Sequence, residues 1–386
     1  MNGEAWSTVA ANDRLWDVVV LGAGPAGAIA ARQLARRGCR VLLVEKAPLP
    51  RMKVCGGCLG GAALDQLEAA GLGGLPQRCG GVVLRSMQLA SGGSVAEIPI
   101  GRRIAVSRQT FDAELVDEAV HAGVAVCDET TGQLHAATDP GSRRVTLRSG
   151  GVTITTRARA VLLATGVAPR HAGLTTHARR SSRIGLGAIV DLAAGDFVSP
   201  VLRMACGNDG YVGVAALAGR RLDVAAAVDP QALSAARSPA NLVERILREA
   251  GLPPVSGLET ATWRGTPALT HQTRPVGNYR CLLIGDAAGY VEPFTGQGIG
   301  WAIQSALAAS ALVPDFLDTW DESVARRWQR VYAKTLLRSH RKCDAISQLL
   351  RLKPVRQLAV WSLRRAPALA RPVVRQLDRS RTPNFA

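Results

Sequence analysis

Asp17 to Lys46 reads DVVVLGAGPAGAIAARQLARRGCRVLLVEK, and the meaning of every other segment depends on what this stretch holds. Residues 18–21 predict a buried strand, Gly22, Gly24 and Gly27 form G-x-G-x-x-G, an alanine-rich helix runs to about residue 37, and residues 41–44 predict a second strand ending at Glu45. This is a βαβ unit of the length that dinucleotide-binding folds use. Gly22 permits the tight turn, Gly24 lets the backbone approach a pyrophosphate, and Gly27 lets the helix lie close to the strand, so that phosphates meet the free N–H groups of the helix start. Glu45 lies 23 positions after Gly22, where a carboxylate accepts hydrogen bonds from both ribose hydroxyls and repels a 2′-phosphate. The unit is expected to hold an ADP moiety, and not that of NADP. By itself it does not separate NAD from FAD.

The length of 386 residues predicts two or three domains, and 47% apolar against 20% charged residues predict a folded chain with ample core. Residues 18–31 are uncharged but too few and too glycine-rich to span a bilayer, the first 13 residues lack the basic start of a signal peptide, and the uncharged run 294–314 suits a buried helix. No membrane-spanning helix is expected. Eight cysteines with no paired spacing beyond Cys55-Gly-Gly-Cys58 make no disulfide framework in a chain this long, which fits a reducing, cytoplasmic compartment. The net charge of +17 is uneven: residues 326–386 carry 16 Lys and Arg against Asp344 and Asp378, so the body is nearly neutral and the tail is basic.

Residues 1–16 read as a loose leader. After Glu45 comes APLPRMKVCGGCLGGAALDQLEAAGL, a proline-punctuated loop leading into a helix from about residue 62. Three readings of Cys55 and Cys58 compete. A zinc site needs a second pair of ligands, and no further C-x-x-C or H-x-x-H is present. A redox dithiol facing a flavin suits the spacing, but flavin disulfide reductases carry a second dinucleotide fingerprint, and IGLGAIV at 184–190 lacks the third glycine. The preferred reading is a glycine-rich loop whose backbone approaches a ring system with a thiol pointing at it. No metal site is expected.

Residues 79–104 predict strands of a second sheet. A loop with Arg108, a helix over 110–122 and a strand over 124–126 follow. A hairpin over 145–155, turned by Ser149-Gly-Gly, runs into a buried strand at 160–163, placing Thr165 and Gly166 at the carboxyl end of a core strand, where α/β sheets bind ligands. Strand-like stretches at 187–191, 201–205, 210–217 and 222–228 form a β-rich block read as a substrate domain, and residues 241–250 predict a helix stopped by Gly251 and Pro253.

The second deciding stretch is Tyr279 to Ala306, YRCLLIGDAAGYVEPFTGQGIGWAIQSA. Residues 281–284 predict a buried strand ending at Gly285-Asp286, and Gly296-Gln-Gly298-Ile-Gly300 opens a long helix. An aspartate there can accept hydrogen bonds from ribityl hydroxyls. N–H groups at a helix start stabilise negative charge on a reduced isoalloxazine ring by on the order of 1 kcal/mol at exposed sites, and by more when partly buried.

GAGPAG with Glu45, VCGGC, SRxxFD, ATG and GDAAGYVEPFTGQGIGWA, in that order, resemble the geranylgeranyl reductase family, whose relatives include flavoprotein aromatic hydroxylases and flavin halogenases with the same two-domain fold. The resemblance covers about residues 17–315. It implies non-covalently bound FAD, with NAD(P)H or another reductant as electron donor. It implies Gly22, Gly24, Pro25, Ala26 and Gly27 at the pyrophosphate, Glu45 with Lys46 at the adenosine ribose, and Cys55, Gly56 and Cys58 along the isoalloxazine pocket. It further implies Arg108 and Val126 at the phosphate and adenine regions, Thr165 and Gly166 at the core strand end, and Asp286, Gly298 and Ile299 at the ribityl chain and ring.

The chain departs from the family pattern in places. Cys58 stands where glycine is usual, the Asp-Gly pair of aromatic hydroxylases is Thr165-Gly166, and Gly289 replaces their histidine, as in the reductases. The strand over the prenyl reductases' substrate cavity is here Gly210-Tyr211-Val-Gly-Val-Ala, with Tyr211 its only aromatic, and the paired tryptophans of halogenases are absent. Cys55 is a catalytic candidate because a thiol beside the ring can relay a proton to a carbon being saturated; a packing thiol is the competing reading. Tyr211 is the other catalytic candidate and, with Pro293 and Phe294, borders the substrate pocket, unless its ring belongs to the core. Trp263 and His271 are placed near the cavity border, with His271 read as a solvated loop residue.

The tail predicts helices over 322–338, 340–352 and 356–365. One reading is a helical cap over the flavin domain; the other is a peripheral membrane dock with Trp361 near the interface and arginines against anionic lipid. No nucleic-acid motif accompanies the charge.

The expected fold is α/β, a Rossmann-like FAD-binding domain (1–75 with 105–170 and 270–320), an inserted β-rich substrate domain (76–104 with 171–269) and a basic helical C-terminal region (321–386). The expected activity is FAD-dependent reduction of carbon–carbon double bonds in an isoprenoid or other long apolar substrate. The alternatives are an FAD monooxygenase hydroxylating an aromatic or polyketide substrate and, from another class, a flavin-bound lipid carrier without turnover.

Overall fold

β1 (Leu15–Leu21) is the central strand of the first sheet, and its Val-Val-Val run is buried on both faces, as a parallel strand with helices on either side requires. The structure is a computed structural model that describes residues 14–167, 174–192 and 199–378; most of the expected leader lies outside them. Numbered along the chain, the first sheet also contains β2 (Val41–Val44), β6 (Ala125–Cys127), β7 (Thr131–Leu134), β8 (Arg143–Ser149), β9 (Val152–Leu163), β17 (Gly277–Asn278) and β18 (Cys281–Leu283), in the order β17-β18-β9-β1-β2-β6, with the β7–β8 ribbon on β9. The strands from β18 to β6 are parallel. The hairpin expected at 145–155 and the strand at 160–163 are one system, because β9 continues unbroken from Val152 into the core.

The second sheet has the order β15-β11-β14-β13-β12-β4-β5-β3, from β3 (Cys58–Gly60), β4 (Val82–Ser91), β5 (Ser94–Ala105), β11 (Ile184–Asp191), β12 (Val201–Cys206), β13 (Gly210–Leu217), β14 (Arg221–Val228) and β15 (Arg264–Ala268). Its strands alternate. Val212, Val214, Ala216, Leu222, Val224 and Ala226 join one apolar cluster with Leu242, Val243, Ile246 and Leu247, while Tyr211, Ala215, Leu217, Asp223, Ala225 and Ala227 face the other way. A third, small sheet joins β10 (Thr175–Ala178), β16 (His271–Arg274) and β19 (Gly289–Tyr290).

The helices are α1 (Pro25–Ala35), α2 (Gly61–Ala69), α3 (Leu75–Arg78), α4 (Arg108–His121), α5 (Pro230–Ala235), α6 (Pro239–Ala250), α7 (Gly298–Leu312), α8 (Glu322–Tyr332), α9 (Arg338–Arg351), α10 (Lys353–Arg365) and α11 (Arg371–Asp378). α6 closes on Gly251 in the left-handed conformation. α7 carries apolar side chains all round and is buried against α1 and α2, packed so closely that a Cβ on Gly300 would lie 3.5 Å from that of Ala63.

Three elements cross the expected domain limits. β3 lies within residues 1–75 yet pairs with β5 on the edge of the second sheet, and β10, counted with 171–269, pairs with β16 in the small sheet. Residues 321–378 split between both halves. Trp328, Tyr332, Leu336 and Cys343 enter the first core, whereas Val360 and Ala370 join Tyr211, Met204 and Leu89 on the second sheet. The break expected near residue 339 is absent, since a π-helical turn at Ala333–Leu337 carries α8 into α9.

Candidate functional site

β1, β9 and β18 end in register, with Leu21 opposite Leu163 and Leu163 opposite Leu283. The three following turns therefore meet at one place. A Cβ on Gly22, whose φ is +106°, would lie 2.3 Å from the Ala164 carbonyl oxygen, and one on Gly27 would lie 1.8 Å from that of Gly22. A Cβ on Gly285 would meet the Ala26 methyl at 2.8 Å. Gly24, at the N-cap of α1, brings no capping side chain, and Pro25 fills the first helical position, where its missing N–H costs nothing. Thr165 and Gly166 follow Ala164 on this side, half exposed.

Glu45, buried at the end of β2, accepts hydrogen bonds from the Ala23 N–H at 2.9 Å (Oε2) and the Ala47 N–H at 3.2 Å (Oε1). Arg51 donates to Glu45 Oε2 at 2.8 Å and to Asp112 Oδ2 at 2.9 Å, and Arg108 grips both Asp112 oxygens at 2.8 Å through Nε and Nη2. Burial pulls the Glu45 carboxyl up, but the hydrogen bonds and charge of Arg51 and the two backbone N–H groups outweigh it and hold the group below its ordinary value. Burial pulls Lys53 down, with Arg51 adding to the effect. Arg51 Nε is buried without a hydrogen-bond partner, and its Nη2 lies 3.9 Å from where a Gly24 Cβ would be. An unmatched donor beside a glycine turn, an uncapped helix start and a carboxylate suits the pyrophosphate and ribose of a dinucleotide. Lys46, expected at the ribose, is exposed on the surface, and Arg51 takes the cationic place beside Glu45. Val126 sits in β6 opposite Leu43, one residue before Cys127, whose carbonyl accepts the Glu45 N–H at 2.8 Å.

On the other side of this ladder, the 54–57 loop lies across the second sheet. Val54 meets Gly185 and Gly187, a Cβ on Gly56 would lie 3.8 Å from that of Ala225, and Gly57 (φ +55°) accepts the Val106 N–H at 2.9 Å. Cys55 and Cys58 are free thiols. Burial raises both, opposed at Cys55 chiefly by Arg108, which also hydrogen-bonds it, and Cys58 is pushed up to about 12. The Cys58 Cβ is 3.9 Å from a would-be Gly296 Cβ, so the loop faces the turn that opens α7, where Gly298 and buried Ile299 present the helix N-terminus. Asp286 sits in the turn after β18, its carboxyl raised by burial against the opposing charges of Arg108, His271 and Lys53. Tyr211 is buried and meets Phe294, the residue after Pro293, edge-on at 5.1 Å; burial holds its hydroxyl well above the ordinary value, so it stays protonated.

Two sequence readings are corrected. His271 is not a solvated loop residue: it is buried in β16, because Nε2 meets the Asp286 carbonyl at 2.9 Å and so ties the small sheet to the turn after β18. Trp263 lies away from the 54–57 loop, packed in the α6 cluster with its N–H donated to the Leu258 carbonyl at 3.0 Å. Arg51, Lys53, Asp112 and Asp223 were missed. Asp112 stood inside the quoted SRxxFD motif, but its bracing of two arginines is a tertiary fact. Asp223 left one signal, an acid in a strand otherwise running Leu-x-Val-Ala-Ala-Ala-Val. An open cavity of about 530 Å³ lies elsewhere, between β10 and β16 and the start of α9, lined by His177, Arg179, His271, Arg274, His340 and Arg341 among others. Among the described residues, no cluster of His, Cys, Asp and Glu could hold a metal ion, and no helix is long and apolar enough to cross a membrane.

Comparison with known proteins agrees with this geometry. A family model described as "FAD binding domain" matches residues 16–319. Conditioned medium factor receptor 1 of Dictyostelium discoideum is 26% identical over 334 residues, 79% of this chain but only 64% of that protein, so the match spans less than two thirds of it. Menaquinone reductase of Mycobacterium tuberculosis is 26% identical over 82% of this chain and 81% of its own. Digeranylgeranylglycerophospholipid reductase 2 of Methanothermobacter thermautotrophicus is 26% identical over 84% and 86%. Among solved structures, a flavin-dependent brominase superposes with a TM-score of 0.77 at 17% identity over 95% of this chain and 94% of that one. A geranylgeranyl bacteriochlorophyll reductase-like protein of Thermoplasma acidophilum gives 0.73 at 17% over 96% and 93%, and a probable FAD-dependent monooxygenase of Pseudomonas aeruginosa 0.70 at 20% over 90% and 100%. At these identities the structures share the fold alone. With the family model matched over most of its length and the strand ends shaped for a dinucleotide, the chain belongs to the FAD binding domain family.

Proposed function

We propose that this chain is an FAD-dependent oxidoreductase that saturates carbon–carbon double bonds of an isoprenoid or similarly long apolar substrate, using NAD(P)H or another reductant as electron source. The observation that carries the reading is the thiol-bearing Cys55 loop, set between the start of α7 and a mostly apolar sheet face lined by Ile189, Leu202, Met204, Gly213, Ala215 and Ala225, with Asp223 between Ile189 and Ala215. Such a face suits a hydrocarbon chain. The digeranylgeranylglycerophospholipid reductase among the relatives supports the same substrate class.

The Gly22–Gly27 turn and Arg51 would hold the pyrophosphate of FAD, Glu45 its ribose, Asp286 its ribityl chain, and the 55–58 loop with Gly298 and Ile299 its ring. Bound FAD supplies the two electrons as a hydride. Cys55, kept protonated by burial, hands its proton to the other carbon of the double bond, and Arg108 stabilises the thiolate left behind. Tyr211, Pro293 and Phe294 border the substrate.

The tail supports a peripheral membrane contact through which such a substrate is reached. Leu349, Leu352, Leu358, Trp361 and Leu369 are each more than half exposed, Val355 and Val373 more than a third, amid Lys353, Arg364, Arg365, Arg371 and Arg375. The Arg365 guanidinium covers the Trp361 ring at 3.9 Å.

The test is anaerobic reduction of the holoprotein, then mixing with a polyprenyl phospholipid in anionic vesicles. Flavin reoxidation with formation of the saturated chain is expected. A flavin hydroperoxide on mixing with oxygen, and a hydroxylated phenol instead, would overturn the reading in favour of a monooxygenase.

A further inference from the structure

We propose that Asp223 is the proton reservoir behind Cys55: enclosed between β14 and the Gly56–Gly57 turn, its carboxyl returns a proton to the Cys55 sulfur after each turnover. This rests on the proton-donor reading of Cys55 given above.

Asp223 is 4% exposed and stands on the inner face of β14, opposite Ala215 on one side and Ile189 on the other. Its Oδ2 lies 3.0 Å from where a Cβ on Gly57 would be, so only a glycine lets the turn close over the carboxyl. A carboxylate in such a place needs a counter-ion. The charged and titratable groups that face it are Arg108 from the start of α4 and the thiols of Cys55 and Cys58 from the loop, with Arg103 beyond Cys58. Arg108 is already committed: two of its nitrogens hold Asp112, and it also bonds Cys55. Arg51 pairs with Glu45 and Asp112, and Arg108 with Asp112, whereas Asp223 forms no ion pair among the described residues. Burial raises it to about 8, a value only partly offset by Arg108. The carboxyl is therefore protonated at neutral pH and a stronger acid than the half-buried Cys55 thiol, whose loss of a proton its charge opposes.

The step balances. With bound FAD in its reduced form supplying the hydride, the double bond would take its proton from the Cys55 S–H, becoming CH–CH and leaving a thiolate. The Asp223 O–H bond breaks, its proton restores the S–H, and the carboxylate regains a proton from solvent. The flavin is reduced again by a dinucleotide or other two-electron donor. Without the acid, one turnover proceeds and the next waits.

The experiment compares wild type, Asp223→Asn and Asp223→Glu as holoproteins in two ways. The first needs no substrate: the rate of Cys55 alkylation by iodoacetamide, followed by mass spectrometry across pH 6–10. An inflection near pH 8 is expected in wild type, absent in Asp223→Asn and kept in Asp223→Glu, with Asp223→Asn alkylating roughly threefold faster above it because no carboxylate opposes the thiolate. Superimposable wild-type and Asp223→Asn profiles would overturn the proposal. The second is flavin reoxidation by a polyprenyl substrate. Asp223→Asn should keep its first-turnover rate, lose about tenfold or more in steady state, and be restored in part by glutamate. Equal losses in both phases would make the residue structural and overturn its reservoir role. Alkylation coupling without any alkene reduction would overturn the substrate reading and leave the Asp223–Cys55 pair standing.

Discussion

At the scale of the residue, what decides function is whether a side chain is missing or matched. Gly27→Ala puts a methyl 1.8 Å from the Gly22 carbonyl oxygen, so α1 must move off β1; a loss of about 1–3 kcal/mol in chemical unfolding and a preparation depleted of flavin are expected. Glu45→Gln keeps the shape but removes the charge that matches Arg51 and accepts the Ala23 N–H. Charge-assisted hydrogen bonds contribute about 1.5–3 kcal/mol, so FAD affinity should fall by roughly ten- to a hundredfold in a fluorescence titration, while Lys46→Ala, at an exposed position, should leave it unchanged. The glycines and Glu45 were legible in advance because their spacing is local. Arg51 and Asp112 were not, since nothing in RMKVC or SRQTFD states that the two residues will meet.

At the scale of the element, α9 shows how burial sets a pH response. His340 packs against Trp301 with ring centroids 4.4 Å apart, its Nε2 has no partner, and burial, assisted by the nearby His271, lowers it from 6.5 to about 4. Between those two values the unfolded chain binds a proton that the folded chain refuses, so stability is intact above about pH 6.5 and declines as the pH falls toward 4. The shift corresponds to about 3 kcal/mol at most. His340→Phe should flatten this limb, and urea melts at pH 7 and 4.5 should show the variant gaining about 2 kcal/mol on wild type at the lower pH. The sequence pattern found this helix but placed a break before it near residue 339, where a π turn at Ala333–Leu337 instead joins α8 to α9 without interruption.

At the scale of the whole molecule, one buried ion cluster joins three parts of the chain. Glu292, 2% exposed, pairs with Arg183 at 3.1 Å and with Arg351 at 2.9 Å, and both arginines also approach Asp229. Its carbonyl accepts from the Ser347 hydroxyl at 3.3 Å. The start of β11, the end of α9 and the segment leading into Pro293–Phe294 are thus held together by one carboxylate. Glu292→Gln leaves two arginines short of charge inside the protein, for which about 3–5 kcal/mol is expected, read as a lower melting temperature together with faster loss of FAD on dilution. The outward row on α10 makes the opposite kind of prediction. Leu358→Glu with Trp361→Glu should abolish sedimentation with anionic vesicles and leave the melting temperature within a degree or so, since exposed side chains contribute little to the core.

The βαβ unit with its glycine fingerprint and Glu45, the Gly285-Asp286 strand end and most strands of the second sheet followed from the sequence alone, because each rests on a continuous stretch of chain, where periodicity and glycine spacing act directly. Tertiary structure alone decided that residues 58–60 form an edge strand of the second sheet, that the basic tail closes over Tyr211 as well as over the first core, that His271 is buried, and that Asp223 lies beneath the Cys55 loop. The physical reason is the same in each case: a short strand, a lone histidine or a lone acid has no local preference strong enough to fix its surroundings, so its partner is whatever the packed fold brings within a few ångströms.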